Sequence, residues 1–303
     1  MDRFLLNMSD IILGAVQFGV DYGISNTLGK TNNVEVENIL KYAFEHNINT
    51  LDVATSYGSA ESVIGDSIRS QDNGKYWNVI TKTPHFKDDN IGYKQIDELL
   101  INFELSRKKI GKGVNYSLLI HNCDDVFLPG GDRLLQTMER LKKEGVISKI
   151  GISVYNGDQI DRILDSYPID IVQLPVNILD QRLIDSNKLS KLKKHGVEIH
   201  ARSVFLQGLL LMPVNDIPSW FDPIKKTLKM LNDEASRRNM STMQLAINFV
   251  RSICEVDKIV IGVNTLDHFR EIIDTKKVKI NIDEFNCLSI NDPKFVNPSN
   301  WKI

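Results

Sequence analysis

The 303-residue chain has little of what marks the specialised classes of protein. Its cysteines are only three, Cys123, Cys254 and Cys287, an odd number without paired spacing. That excludes a disulfide framework or a zinc site and fits reduced thiols in a cytoplasm. Neither sign of charge is in excess, since 37 Lys and Arg face 39 Asp and Glu for a formal net charge of -2. No basic field is available to hold a nucleic-acid backbone, so nucleic acid is not an expected partner. Long hydrophobic runs are missing too. The longest, at residues 11–16 and 208–214, fall far short of the roughly 20 residues that a spanning helix needs, and no membrane partner is expected. Arg3 and Asp10 interrupt what would have to be the apolar core of a signal peptide, and no small-residue cleavage site follows, which again predicts a cytoplasmic protein. His and Cys show no metal-ligand spacing, so no metal is expected. No heptad seam or long apolar stripe stands out, which leaves monomer or weak homodimer. No G-x-G-x-x-G follows a strand and opens a helix; Gly111-Lys-Gly-Val-Asn-Tyr lacks the third glycine.

What is present is regular alternation from end to end, with 42% hydrophobic and 25% charged residues and no Pro/Gly/Ser-rich linker, which predicts one domain over 1–303. β-Rich runs end at 11–13, 50–52, 79–82, 116–121, 149–152, 169–174, 197–202 and 258–261. Stretches of helical periodicity lie between them at 34–46, 60–70, 92–108, 133–144, 157–165, 184–195, 223–239 with 242–252, and 266–275, before a C-terminal tail from about 282 to 303. Eight strands each followed by a helix predict an α/β fold of the (β/α)8 TIM barrel type, whereas a doubly wound sheet would usually stop at five or six. Gly145 and Gly196, each after a basic last turn, read as left-handed helix caps.

In such a barrel, chemistry gathers at the C-terminal ends of the strands. Asp52 closes the second run, Tyr57 follows it, Lys82 closes the third and His121 closes the fourth, in Leu51-Asp-Val-Ala-Thr-Ser-Tyr-Gly, Ile80-Thr-Lys-Thr and Leu119-Ile-His-Asn. A lysine ending an apolar strand needs a partner, and Asp52 on the neighbouring strand is the obvious one. An ammonium beside Tyr57 would lower the phenol from its usual value near 10 and make it a proton donor. His121 would orient a carbonyl oxygen or share in a proton relay.

These residues, taken in order with others, resemble the aldo-keto reductase superfamily over essentially the whole chain. The others are Ser62-Val-Ile-Gly, Thr81, Leu118 to Ile120, Leu141 to Gly145, Ile150-Gly-Ile-Ser, Gln173 with Asn177, and Ile261-Gly-Val-Asn. The resemblance implies a reductase that binds NAD(P)H without a Rossmann domain. Tyr57 would be the acid, Lys82 and Asp52 would tune it, and His121 would position the carbonyl. It also implies that Ser153 and Gln173 meet the nicotinamide carboxamide, and that Arg202, Ser203, Val204, Phe205 and Gly208 line the nicotinamide and pyrophosphate, with Gly14 and Asp52 beside them. Val154 stands where many members carry Asn, and Arg202 where many carry a stacking Tyr, a role its planar guanidinium can also fill. Gly262, Val263, Asn264, Thr265 and His268 open a helix whose first amides suit the adenosine phosphate region. Positions 264 and 268 are not the Arg that often grips a 2′-phosphate, although Arg270 follows one turn on, and the expectation is a slight preference for NADPH over NADH.

The expected partner is a small carbonyl substrate, for which the candidate contacts are Tyr22, His85, Phe86, Asn122, Trp220, Phe221 and Trp301. The segments Leu13-Gly-Ala-Val-Gln-Phe-Gly-Val-Asp-Tyr-Gly-Ile and Arg202-Ser-Val-Phe-Leu-Gln-Gly-Leu-Leu are similar to a bacterial branch of the superfamily associated with surface-polysaccharide sugar biosynthesis, which implies a keto-sugar or nucleotide-linked sugar. Two other readings compete: a lyase or aldolase forming a Schiff base at Lys82, and a non-catalytic NADPH-sensing regulatory subunit.

Overall fold

Eight short strands containing β-branched residues alternate with helices through residues 10–302, the part of the chain that this computed structural model describes. They are β1 (Ile11–Gly14), β2 (Thr50–Asp52), β3 (Asn78–Lys82), β4 (Asn115–Ile120), β5 (Lys149–Ser153), β6 (Ile171–Pro175), β7 (Glu198–Arg202) and β8 (Lys258–Gly262). Each pairs in parallel with its neighbour in sequence, and β8 returns to β1, closing the barrel that the alternation predicts. Around it run α1 (Asn33–Glu45), α2 (Ala60–Ser70), α3 (Tyr93–Ile110), α4 (Asp132–Lys143), α5 (Gly157–Leu164), α6 (Arg182–Asp185), α7 (Lys188–Lys194), α8 (Lys225–Arg237), α9 (Thr242–Ser252), α10 (Leu266–Ile273) and α11 (Pro293–Val296). Arg3 lies outside the described residues.

The strands are buried on both faces, which is why they read as nearly continuous apolar runs. Ile12, Ile80, Leu119 and Ile171, with Val260 against them, fill the inside of the barrel. Gly151 belongs to this layer for want of space: a Cβ there would lie 2.7 Å from the Ile171 carbonyl oxygen and 2.9 Å from Leu119. The larger core lies between barrel and helices and includes the fully buried rings of Trp77, Phe249 and Phe269.

Helix ends follow the local chemistry. Asn32 caps α1 by accepting from the Glu35 N–H, and Ser241 with Gln244 forms a capping box on α9. Gly145 and Gly196, at φ 72° and 73°, take the left-handed conformation expected of them. The single helix expected over 184–195 is instead two, α6 and α7, because Asn187 at φ 56° turns the chain between them. In the tail, the Ile290 N–H donates to the Leu179 carbonyl at 2.8 Å, and Gln181 Nε2 reaches the Phe285 carbonyl at 2.9 Å. These bonds fasten the tail beside the loop that follows β6.

Candidate active site

The strand ends converge on a cavity of about 910 Å³ at the C-terminal mouth of the barrel. Asp52 is the last residue of β2 and Lys82 the last of β3, so both side chains enter the barrel at its top. Lys82 Nζ donates to Asp52 Oδ1 at 2.7 Å and to the Val53 carbonyl at 3.2 Å, and it lies 5.2 Å from the centre of the Tyr57 ring. The pair is sealed, with side chains 1% and 5% exposed for Lys82 and Asp52. Gln173, the third residue of β6, donates its Nε2 to the other carboxylate oxygen, Asp52 Oδ2, at 2.7 Å. Burial pushes the Lys82 ammonium toward neutrality, but Asp52 and Tyr57 outweigh it and its pKa stands above the ordinary value.

The phenol departs from expectation. Burial pushes Tyr57 above its ordinary value and outweighs the nearby Lys82 ammonium, which acts in the opposite direction. Tyr57 is therefore held as a protonated phenol, a donor by virtue of its proton rather than of a lowered pKa. His121 lies one residue beyond β4, with its backbone N–H on Thr83 Oγ1 at 3.1 Å. Its ring stands edge-on to Tyr57, centroids 6.3 Å apart, and lies 4.0 Å from that of His85. Burial, then the Lys82 charge, hold its pKa down to about 2, so the imidazole is neutral at working pH.

Most residues expected in the cofactor site also line this cavity: Gly14, Ser153, Arg202, Ser203, Phe205, Gly208, Gly262, Val263, Asn264 and His268. Asn177 explains its place in the motif by structure: its Nδ2 holds the Ser203 carbonyl at 3.0 Å and so fixes the start of the loop after β7. That loop then turns through left-handed residues, Leu206 at φ 48°, Gln207 at 53° and Gly208 at 90°. Gly208 is required there, since a Cβ would meet Ser25 Oγ at 1.8 Å. The loop after β1 roofs the cavity. Its Ile24 N–H donates to the Gln207 carbonyl at 3.0 Å, and Asn264 Nδ2 reaches the Gly29 carbonyl at 3.3 Å.

Other expected residues have different occupations. Thr265 caps α10, accepting from the His268 N–H at 3.1 Å, and the Leu266 N–H donates to Glu35 at 2.6 Å, so two of the helix's first amides already have partners. Tyr22 and His85 line the cavity, whereas Asn122, Trp220 and Trp301 lie outside its wall. Asn122 caps the short turn Cys123–Phe127 and donates to Asp125 at 2.7 Å. Trp301 packs edge-on against Phe221 at 5.0 Å and donates to the Phe295 carbonyl at 3.0 Å, and Lys294 covers Trp220. These aromatics secure the tail. Among the residues not foreseen are Tyr155, whose ring carries the Arg202 guanidinium at 4.3 Å, and Gln17, whose buried Oε1 has no partner. Each lies a few residues beyond a strand end, and Gln17 also falls within the segment 13–24 singled out in the sequence. Among the described residues, no group of three or more His, Cys, Asp or Glu could hold a metal ion, and no helix is long and apolar enough to cross a membrane.

The mouth of the barrel thus gathers a buried lysine and aspartate, a half-buried tyrosine and a neutral histidine around one cavity. Residues 10–290 match the model of the Aldo/keto reductase family, and the chain belongs to that family. It is an aldo-keto reductase enzyme, of a family that generally uses NAD(P)H. The D-arabinose 1-dehydrogenase of Saccharomyces cerevisiae is 25% identical over 159 residues, which are 52% of this chain and 46% of that protein, so the match spans about half of the relative. The uncharacterized oxidoreductase YqkF of Bacillus subtilis is 24% identical over 88% of this chain and 87% of its own. The holo form of the aldo-keto reductase AKR11C1 from Bacillus halodurans shares the fold, with a TM-score of 0.72 at 21% identity, over 98% of this chain and 96% of that one.

Proposed function

We propose that the cavity reduces an aldehyde or ketone to an alcohol, with Tyr57 as the proton donor. The observation that carries this reading is the sealed Lys82 ammonium, which is held by Asp52 and the Val53 carbonyl and stands 5.2 Å from the centre of the Tyr57 ring. NAD(P)H, when bound, supplies the hydride. Tyr57 gives its proton to the substrate oxygen, and the Lys82 charge stabilises the negative charge that the phenol oxygen takes on. Asp52, braced by Gln173, keeps that charge in place. The neutral His121 presents an N–H to the same substrate oxygen.

The cavity suits a dinucleotide together with a small substrate. It runs from Tyr57 past Ser153, Ser203 and Gly208 to His268, and its volume falls at the upper end of the usual range for ligand sites. The Gln173 amide nitrogen is committed to Asp52, so its oxygen and the Ser153 hydroxyl are what remain for a carboxamide. One face of Arg202 rests on Tyr155, which leaves the other for the nicotinamide. Tyr22, Tyr155 and His85 give the mouth a polar aromatic rim, in keeping with a keto-sugar or nucleotide-linked sugar of surface-polysaccharide synthesis as substrate. The yeast relative named for D-arabinose supports the sugar class. An amine kept protonated by a buried carboxylate is a poor nucleophile, which argues against a Schiff base at Lys82.

The test is absorbance-monitored oxidation of the reduced nucleotide with a panel of aldehydes and keto-sugars. Tyr57→Phe is expected to cut turnover by about two orders of magnitude or more while nucleotide still binds. Turnover that survives the change, or covalent labelling of Lys82 by borohydride in the presence of a ketone, overturns the reading. Binding of nucleotide with no turnover on any carbonyl would favour the sensor.

A further inference from the structure

With the reacting end of the nucleotide at Tyr57, its adenosine end falls at the far end of the cavity, where Val263, Asn264, His268 and Glu271 form the wall. The two cavity-lining residues with permanent positive charge, Lys82 and Arg202, belong to the opposite end. Arg270, the basic residue nearest in sequence, is turned away. It pairs with Asp267 at 3.1 Å and lies 5.6 Å from the Tyr42 ring on α1. In place of a cation stands an anion: Glu35, reaching across from α1, accepts from the Leu266 N–H at 2.6 Å at the first turn of α10. Glu271 adds a second carboxylate at the rim.

A helix N-terminus attracts one negative group, and here a side chain of the protein has taken that place. A 2′-phosphate is close to a dianion at neutral pH and gains its affinity from Arg or Lys. Along this wall it would meet the Glu271 carboxylate and no Arg or Lys, and behind the wall Glu35 already occupies the first turn of α10. A ribose 2′-hydroxyl carries no charge and can donate to a carboxylate. We propose that this chain selects NADH over NADPH, and that Glu35, seated on the N-terminus of α10, is the group that excludes the 2′-phosphate. This reverses the lean toward NADPH drawn from the sequence, and it rests on the NAD(P)H reading above.

Fluorescence titration of the full chain with each reduced nucleotide tests it directly. NADH is expected to bind at least about tenfold more tightly than NADPH. Glu35→Gln is expected to narrow that ratio severalfold by strengthening NADPH. His268→Arg, which adds a cation to the same wall without touching Glu35, should narrow it further. NADPH binding as tightly as NADH in the unaltered protein overturns the selection, and a ratio unmoved by Glu35→Gln in a protein that still melts cooperatively overturns the role of Glu35. Failure of both nucleotides to bind would be a different result, since it removes the reductase reading itself.

Discussion

The barrel holds a lysine–carboxylate pair at each mouth, and the two have different characters. At the C-terminal mouth Lys82 and Asp52 are sealed from solvent, and the ammonium is bonded to both Asp52 and the Val53 carbonyl. At the opposite mouth Lys149 and Glu198 form a pair whose side chains are 44% and 26% exposed, with His200 Nε2 at 2.8 Å from the same carboxylate. Both pairs lie on one closed sheet, the first at the C-terminal ends of β2 and β3 and the second at the N-terminal ends of β5 and β7. The difference lies in what the charge acts on. The sealed pair borders the cavity and a phenol that can give up a proton, whereas the open pair plugs the floor and faces water. Burial raises the energetic stakes of a charge, and this barrel reserves it for the mouth where chemistry takes place.

The sharpest way to break this contrast is to remove each lysine in turn. Lys82→Met leaves Asp52 buried with only the Gln173 amide for company, and is expected to cost about 3–5 kcal/mol in urea unfolding together with nearly all turnover. Lys149→Met leaves Glu198 partly exposed and still bonded to His200, and should cost no more than about 1 kcal/mol with turnover unaltered. Equal losses from the two variants would show that burial does not separate the pairs.

A smaller effect is expected in the pH dependence of turnover. The proton donor is the phenol form of Tyr57, and burial raises its pKa, so the donor persists until the pH passes beyond the ordinary tyrosine range. His121, with a pKa near 2, stays neutral across the same interval. Turnover under saturating nucleotide should therefore be flat from about pH 5 to 9, with no acid limb near the usual histidine value. An inflection near pH 6.5 that vanishes in His121→Asn would mean that the imidazole takes part as a titrating acid.

Asp52, Tyr57, Lys82 and His121 were legible because a closed parallel barrel brings consecutive strand ends together, so sequence order translates directly into proximity. The barrel was legible for the same reason, as its period repeats eight times. The direction of the Tyr57 shift was not. The sequence displays the cation, but the depth of burial depends on walls supplied by distant loops. Glu35 was hidden for a related reason: it sits in α1, some 230 positions before the helix it caps. Trp220 and Trp301 show the converse error, in which aromatics near the barrel's rim are read as a binding surface when the tail needs them for its own packing. Strand ends are fixed by topology, while loops and tail take positions that only tertiary packing decides.

The smallest expected effect concerns the open pair alone. The hydrogen bond from His200, then the Lys149 ammonium, hold Glu198 down to about 2 against an ordinary value near 4.5, in spite of partial burial. A carboxyl whose folded pKa is depressed stabilises the fold above its unfolded pKa and loses that contribution as the pH falls through the folded one. The contribution should thus be complete above about pH 4.5 and gone near pH 2. Because the Lys149 side chain is 44% exposed, screening reduces it to about 1 kcal/mol, or a few degrees of Tm. Glu198→Gln lacks this titration. Thermal melts of the two proteins should differ most at pH 6 and converge toward pH 2, with turnover the same in both. A gap that persists undiminished at pH 2 would mean that Glu198 stabilises the floor by packing, and the contrast between the two mouths would then rest on the upper pair alone.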